Sequence, residues 1–389
     1  MRQACIVGWG HTPFGRLEGQ DLEALILAAS RQAVEHAAIH AGDLDAVFVA
    51  HFNSGMVPDG FCSSMPLGLD PALRFKPSVR VENACASGAA AIHAGLQAIE
   101  SGRARMVLVV GAEKMTAASH ALVTSSLAGA SYWREEGAQG LNFPRIFARI
   151  AEAYFERYGD HSSTLARIAV KNHANGARNP LAHIRRALDF DFCNTVSERN
   201  PLIAAPLRMT DCSTVADGAA ALILVRSDMA GLFERAVAFR AASHVNDFLP
   251  MSRRDMLAFE GPRHAWQAAF AEAGVSVSDL SFAEVHDCFT IAELMSYEAM
   301  GLAAAGEGHR CVADGSVAMG GRLPVNPSGG LKAKGHPVGA TGVSMHALSA
   351  MQLCGVAGDI QVPDATLAGV FNMGGSAVAN YVSVLERAR

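Results

Sequence analysis

The sequence has few charged residues and no cluster of one sign. Asp, Glu, Lys and Arg make up 18% of the 389 residues, with Lys+Arg 32 against Asp+Glu 37 and a net charge of -5. A surface for nucleic acid or for an anionic membrane requires clustered basic residues, so neither partner is expected. Small molecules are the expected partners.

No pair of cysteines has the C-x-x-C spacing of metal and redox motifs. The eight cysteines are residues 5, 62, 85, 193, 212, 288, 311 and 354. A chain of this length builds an adequate core without disulfides, so we expect reduced thiols. The first residues also lack the charged start, apolar run and cleavage site of a secretory signal, which favours a cytoplasmic protein.

One uncharged stretch, Ala365 to Leu385, is long enough to be considered as a membrane helix. It contains Asn372, Gly374, Gly375 and Asn380 near its middle, which argues against a membrane span. We predict a strand, a glycine turn and a second strand.

Half of the residues are hydrophobic, and short β-branched runs alternate with alanine-rich stretches. The runs predict strands at 46–50, 105–110 and 220–225, and the alanine-rich stretches predict helices at 24–41 and 86–101. This alternation is typical of an α/β fold with a buried sheet.

A weak internal repeat divides the chain. In the first half a strand ends at His51 and Cys85-x-x-Gly88 opens a helix; in the second a strand ends at His286 and His336-x-x-Gly339 opens a helix. We predict an N-terminal half at 1–240 and a C-terminal half at 241–389. Residues 116–210, rich in charge and aromatic side chains, form an insertion that either covers a site or is an ordinary helical subdomain.

Cys85 follows an extended run and precedes a helix of small residues. A sulfur at a helix N-terminus is biased toward thiolate, although a cysteine among alanines is more often a core residue. His336 ends a glycine-rich loop that lacks the Lys and Ser/Thr of a phosphate-binding P-loop. If the halves pair by pseudo-symmetry, Cys85 and His336 meet as an activated nucleophile and its base.

Two further motifs are candidates for the same site. His286 and Cys288 stand at a predicted strand end, but no second pair completes four ligands, so no metal site is expected there. Gly374 and Gly375 form a turn whose N–H groups either stabilise an oxyanion or only satisfy the turn geometry.

The order of these motifs resembles the thiolase superfamily over essentially the whole chain. The motifs are N-A-C-A-S-G around Cys85, H-D-C-F at 286–289, N-P-S-G-G followed by G-H-P-V-G-A-T-G at 326–342, and N-M-G-G at 372–375. H-D-C-F stands where N-E-A-F is usual, and N-M-G where C-x-G is usual. Both departures are similar to the sterol-carrier-protein-type branch and its bacterial and archaeal relatives, including acetyl-CoA acetyltransferases.

The resemblance implies a thiolase fold of two pseudo-symmetric βαβαβαββ halves packed as five layers, αβαβα, with an inserted loop domain. It implies an acyl-CoA C-acyltransferase, either an acetyl-CoA acetyltransferase or a 3-ketoacyl-CoA thiolase of lipid metabolism. His336 would deprotonate Cys85, and Cys288 would exchange the α-proton near neutral pH. His336 and His286 would bind the enolate oxygen, and the N–H groups of Cys85 and Gly374, with Gly375 less favoured, the acyl-enzyme oxygen. Coenzyme A thioesters would be substrates with no separate cofactor, and the protein a homodimer or a dimer of dimers.

Three alternatives stay open. The chain could be an acyltransferase on a non-CoA acceptor, or a carbon–carbon lyase on CoA esters that works with a small accessory subunit. A decarboxylating condensing enzyme is disfavoured because it needs no second cysteine such as Cys288. A non-catalytic scaffold is disfavoured because neither the nucleophile nor the base has been lost.

Overall fold

The strands of this computed structural model, which describes residues 4–389, lie close to the predicted positions. They are β1 Ala4–His11, β2 Ala46–Ala50, β3 Ser78–Val81, β4 Met106–Glu113, β5 Leu202–Ala204, β6 Leu207–Arg208, β7 Gly218–Arg226, β8 Val237–Asn246, β9 Phe282–Glu284, β10 Leu367–Gly374 and β11 Ala379–Arg387. The three predicted strands correspond to β2, β4 and β7. The first three residues of the predicted N-terminal segment lie outside the described residues.

The helices follow the alanine-rich and amphipathic stretches. They are α1 Leu22–His36, α2 Ser87–Glu100, α3 His120–Ala128, α4 Phe143–Tyr158, α5 Ser162–Arg178, α6 Phe190–Asn194, α7 Glu260–Ala273, α8 Thr290–Ala299, α9 Gly308–Ala313, α10 Gly330–Lys334 and α11 Val338–Leu353. The predicted helix at 24–41 ends earlier, at His36, because Ala38 has a positive φ of 52° that breaks the helical path.

Nine strands form one mixed sheet in the order β3-β2-β4-β7-β1-β8-β11-β10-β9. In the first half β2 is parallel to β3 and β4, and β7 is antiparallel to β4 and β1. In the second half β9 is parallel to β10, and β11 is antiparallel to β10 and β8. A parallel bridge from Ala283 to Val325 occupies the place that β3 takes in the first half. The predicted repeat is therefore confirmed in the strand order.

The two halves of the sheet meet through a short antiparallel contact between β1 and β8, where Cys5 and Ile6 pair with Ala238 and Val237. Helix α1 packs on β1 and β7, and α7 packs on β8 and β11. Helices α2 and α11 pack on each other between the halves, and α11 contacts strands of both. The α/β fold with helices outside and between two sheet halves is the layered arrangement expected from the resemblance.

The predicted insertion contains α3 to α6 and the small sheet β5–β6. Helix α4 of the insertion begins at Phe143, where the side chain of Asn142 accepts a hydrogen bond from the Arg145 N–H. The boundaries given for the halves and the insertion stay predictions.

The uncharged stretch at 365–385 is a β-hairpin, as predicted, since β10 and β11 pair along their length. Among residues 4–389, none of the helices combines the length and apolar character that a membrane crossing needs.

The crossing of α2 and α11 depends on glycine. A Cβ added at Gly88 would lie 2.7 Å from the Cα and N atoms of Gly342, much closer than atoms can approach. The backbones are therefore in direct contact, and the helix starts that carry Cys85 and His336 are held next to each other.

We expect Gly88→Ala to destabilise the protein by about 2 kcal/mol, because the new methyl group must push α11 away. Alanine is the better helix former by ~1 kcal/mol, so a loss of stability would report the clash and not propensity. The measurement is urea unfolding, with Gly231→Ala as control, since a Cβ at Gly231 meets no atom within 4 Å among the described residues. Equal stability of the two variants would contradict the close packing.

Candidate active site

Cys85 lies in a tight turn between β3 and α2. Ala84 has a positive φ of 50°, and the Ser87 hydroxyl donates to the Ala84 carbonyl and accepts from the Asn83 N–H. No side chain caps the N-terminus of α2, and the Ala86 and Ser87 N–H groups donate within the turn to the Asn83 and Ala84 carbonyls. The predicted position at a helix N-terminus is what the structure shows.

His336 lies in the loop between α10 and α11. The Asp287 carboxylate accepts hydrogen bonds from the Leu331 N–H (2.6 Å) and the Lys332 N–H (3.2 Å), which fixes α10 against the H-D-C-F segment. Gly330, with a φ of 59°, allows this approach, because a Cβ there would meet an Asp287 oxygen. The H-D-C-F motif therefore positions the loop that presents His336.

Cys85, His286 and His336 form one buried cluster. The Cys85 sulfur and one ring nitrogen of each histidine all lie within 4.8 Å of one another. The imidazole rings meet edge to face, with centroids 5.1 Å apart. Cys288 lines the same pocket as Cys85 and His336. The structure thus brings together the four residues for which the sequence predicted catalytic roles.

Hydrogen bonds assign a different tautomer to each histidine. The Thr341 hydroxyl donates to the Pro337 carbonyl (2.9 Å), so it accepts from Nδ1–H of His336 at 2.7 Å. Nε2 of His336 then carries a lone pair, and it is buried without a partner among the described residues. The Asn372 amide donates to Nδ1 of His286 at 2.9 Å, so His286 holds its proton on Nε2. One histidine can accept a proton while the other donates a hydrogen bond.

Burial keeps the whole cluster neutral at rest. It raises the pKa of Cys85 to about 12, with the Gly375 N–H acting against this, and raises that of Cys288 well above its usual value. It also lowers the pKa of His336 to about 4, helped by Lys334, and that of His286 well below its usual value. These directions run against the expected bias of Cys85 toward thiolate and against proton exchange at Cys288 near neutrality, and both expectations stay predictions. Removing the Cys85 thiolate from water costs more free energy than the N-terminus of α2 returns by stabilising its charge.

The two glycines of the turn at 374–375 lie beside the turn that carries Cys85. The N–H of Gly375 acts to lower the pKa of the Cys85 thiol, and Gly375 lines the pocket. Gly374 is the last residue of β10 and packs against the Asn83 carbonyl, from which an added Cβ would lie 2.5 Å away. Both glycines therefore lie beside the nucleophile turn, and the choice of Gly374 over Gly375 as the oxyanion donor stays a prediction.

An apolar pocket of about 390 Å³ leads to the cluster. Side chains of the insertion line it, including Val123, Leu127, Phe143, Ile203 and Met209. Of the two interpretations of residues 116–210, the structure supports the one in which the insertion covers a site.

Three residues of the site had no predicted role. Asn372 donates to His286 and to the Cys85 carbonyl (3.1 Å), and Thr341 orients His336. Glu113, ion-paired with the buried His51, accepts from the N–H groups of Phe52, Asn53 and Gly339. Asn372 and Thr341 lie within motifs noted in the sequence, but the contacts of Asn372 and Glu113 join segments far apart in the chain.

The raised pKa of Cys85 predicts how its alkylation depends on pH. A thiol with a pKa of about 12 is almost fully protonated at pH 7, and its thiolate fraction rises about tenfold per pH unit up to pH 10. We expect the rate of iodoacetamide labelling at Cys85, followed by peptide mass mapping, to rise in the same proportion. The control is a small thiol of ordinary pKa, whose labelling rate stops rising near pH 9. A rate that is already constant between pH 7 and 8 would restore the thiolate expectation.

Comparison with known proteins agrees with this geometry. The family model "Thiolase, N-terminal domain" matches residues 4–187, and "Thiolase C-terminal domain-like" matches residues 242–387. An acetyl-CoA acetyltransferase of Methanothermobacter thermautotrophicus is 36% identical over the full length of both chains. Human sterol carrier protein 2 is 31% identical, over 96% of this chain and 70% of that protein. The solved Ltp2-ChsH2(DUF35) aldolase has a TM-score of 0.86 at 23% identity, covering 100% of this chain and 98% of that one. The chain belongs to the thiolase family, and its relatives include both archaeal acetyl-CoA acetyltransferases and sterol-carrier-protein-type thiolases.

Proposed function

We propose that the protein is an acyl-CoA C-acyltransferase that forms or cleaves 3-ketoacyl-CoA through an acyl-enzyme on Cys85. The observation that carries this proposal is the buried cluster of Cys85, His286 and His336, with Cys288 in the same pocket. A thiol next to an unprotonated imidazole nitrogen is the arrangement of an activated nucleophile. The named acetyl-CoA acetyltransferase relative supports the reaction class.

In the first half-reaction Nε2 of His336 takes the Cys85 proton as the sulfur attacks the thioester carbonyl carbon. Because both groups are neutral at rest, proton transfer and attack are coupled, and no thiolate has to persist in the buried site. The N–H of Gly374 or Gly375, with that of Cys85, would hold the developing oxyanion. Collapse of the tetrahedral intermediate expels the CoA thiolate, which takes the proton from His336, and leaves acyl-Cys85 with a neutral His336.

In the second half-reaction a second acyl-CoA occupies the pocket. Cys288 first gives its proton to Nε2 of His336, and its thiolate then removes the α-proton. Nε2–H of His286 donates a hydrogen bond to the enolate oxygen. The α-carbon attacks the acyl carbonyl carbon, the Cys85 sulfur leaves and takes the proton back from His336, and a 3-ketoacyl-CoA forms. The raised pKa of Cys288 makes its thiolate a strong base, so deprotonation of Cys288 is the costly step that the site must assist.

Coenzyme A enters this proposal as part of the substrate, and no separate cofactor is needed for either half-reaction. The apolar pocket under the insertion would hold the acyl and pantetheine portions. We place the protein in the cytoplasm and in lipid metabolism, in keeping with its eight unpaired cysteines and with a reaction on acyl-CoA.

A carbon–carbon lyase on CoA esters that works with a small accessory subunit is the second candidate. The structural likeness to the Ltp2-ChsH2(DUF35) aldolase supports this second candidate, since that aldolase is a structure of two named components. A retro-aldol cleavage needs no acyl-enzyme, so formation of acyl-Cys85 separates it from the Claisen reaction.

We also propose a homodimer, or a dimer of dimers, formed across β3. This strand is the outer edge of the first half of the sheet, and Val79 on it is 47% exposed. Phe61 and Phe75, on the segment leading into β3, are 79% and 86% exposed. An open strand edge next to large exposed apolar side chains is a typical site of association.

The acyl-enzyme is tested by intact mass after incubation with acetyl-CoA, acetoacetyl-CoA and longer acyl-CoAs. We expect an acyl adduct on the wild type and on Cys288→Ala, and none on Cys85→Ala, because Cys288 acts after acylation. Cys288→Ala should lose 3-ketoacyl-CoA formation by at least about a hundredfold, the size of a general-base contribution. Cys212→Ala, which removes another thiol of the pocket, is the control. No adduct on the wild type with any acyl-CoA would contradict the proposal and favour the lyase.

The dimer is tested by sedimentation of the wild type and of Val79→Lys. A charged residue on the strand edge should shift the equilibrium toward monomer, because it would be buried unpaired at the interface. Val356→Lys, at another exposed valine (40%), is the control. A monomeric wild type, or an unchanged dimer in Val79→Lys, would contradict association through β3.

A further inference from the structure

We infer that the cluster of Cys85, His286 and His336 is a binding site for Zn²⁺, and that Zn²⁺ bound there reversibly blocks the active site. The metal site follows from the cluster geometry, whereas the inhibition rests on the proposed function. A thiolate and two imidazoles are ligands that Zn²⁺ prefers, and three protein ligands with one open position are common for zinc.

The spacing of the three groups suits a zinc ion. A tetrahedral site with Zn–S near 2.3 Å and Zn–N near 2.0 Å requires ligand atoms about 3.5 Å apart. The cluster atoms already lie within 4.8 Å of one another in the absence of metal, so closing the site takes about 1.3 Å or less per pair. Within residues 4–389, this is the one group of three or more such ligands.

His336 is prepared for ligation. Its Nε2 atom carries the lone pair, is buried and has no hydrogen-bond partner among the described residues. Its Nδ1–H donates to Thr341, the kind of hydrogen bond that fixes the ring of a metal-binding histidine. A metal ion would supply the partner that Nε2 lacks.

His286 binds a metal through Nε2 after its proton moves to Nδ1. The Asn372 amide faces Nδ1, and its oxygen is buried without a partner among the described residues. Rotation of that amide would place the oxygen against Nδ1–H, the hydrogen bond that a ligating histidine needs. Asn372 accepts from Nδ1–H of His286 only by giving up the hydrogen bond that it donates to the Cys85 carbonyl (3.1 Å), and metal binding must offset that loss.

With Zn²⁺ bound to the Cys85 thiolate and two neutral imidazoles, the site carries a net charge of +1. Zn²⁺ displaces the thiol proton of Cys85 to solvent, and the new Zn–S bond leaves a site of net charge +1. Of the buried charges that act on His336, Lys334 disfavours a cation and Glu113 favours one. Cys85 and His336 line the same pocket as Cys288, so water or substrate in that pocket would supply a fourth ligand.

Zinc at this position excludes catalysis by occupying the atoms that the reaction uses. The Cys85 sulfur is no longer a free nucleophile, and Nε2 of His336 is no longer a free base. An acyl group already on Cys85 would block the metal in return. Zn²⁺ and acyl-CoA are therefore expected to compete.

Metal binding is measured first, by equilibrium dialysis of the full chain without substrate. We expect one Zn²⁺ per wild-type chain at this site, at least tenfold weaker binding by Cys85→Ala, and unchanged binding by Cys212→Ala, which removes a pocket thiol outside the cluster. Co²⁺ in place of Zn²⁺ should give a thiolate-to-metal charge-transfer band in the wild type and not in Cys85→Ala. Circular dichroism checks that each variant is folded. Equal binding by wild type and Cys85→Ala, or loss of binding in Cys212→Ala, would overturn the assignment.

Inhibition is measured second, as acyl-Cys85 formation with and without Zn²⁺, with Mg²⁺ as a hard-cation control and chelation to reverse the effect. Zinc that binds without slowing acylation would overturn the inhibitory role and leave the proposed function intact. Failure of acylation in metal-free protein would instead count against the proposed function, while the dialysis result still decides the metal site.

Discussion

The contact between α2 and α11 is the constraint on which the site depends. The backbones of the two helices touch at Gly88 and Gly342. Any side chain at either residue would therefore push the helices apart. The start of α11 is equally close to the first half of the sheet, since an added Cβ at Gly339 would lie 2.6 Å from the Ala112 carbonyl oxygen. Cys85 and His336 stand at the N-terminal ends of these two helices. Glycine packing between the halves, and not the local sequence of either motif, therefore sets their distance.

The same burial that holds the groups together determines their protonation. A cysteine in water at a helix N-terminus would lose its proton more easily, but Cys85 is enclosed and its pKa rises to about 12. His336 is enclosed too, and its pKa falls to about 4. A neutral pair is the state that a low-dielectric site favours, since an isolated thiolate–imidazolium pair would have to be desolvated. The charge then develops during attack on the substrate, where an N–H of the glycine turn can stabilise it.

The sequence predicted the parts of the fold that depend on local pattern. Buried strands such as β2 and β4 are marked by β-branched runs, and the hairpin of β10 and β11 by its central glycines. The repeat indicated that the halves pair, which placed Cys85 near His336. The protonation of the site could not be read in this way, because enclosure depends on the insertion and on both halves at once. The choice between Gly374 and Gly375 depends on the direction of one N–H in a turn, which no residue pattern specifies.

Asn372 shows how the cluster is held without a cysteine in the late glycine turn. It lies on β10, where the resembled pattern has C-x-G, and its amide donates to the Cys85 carbonyl and to Nδ1 of His286. One side chain thus ties the nucleophile turn of the first half to the donor histidine of the second. Because an amide has no titratable proton, it cannot replace the thiol in acid–base chemistry. In the proposed reaction the acid–base thiol therefore comes from another segment, and Cys288 lines the pocket from the residues after β9 that also include His286.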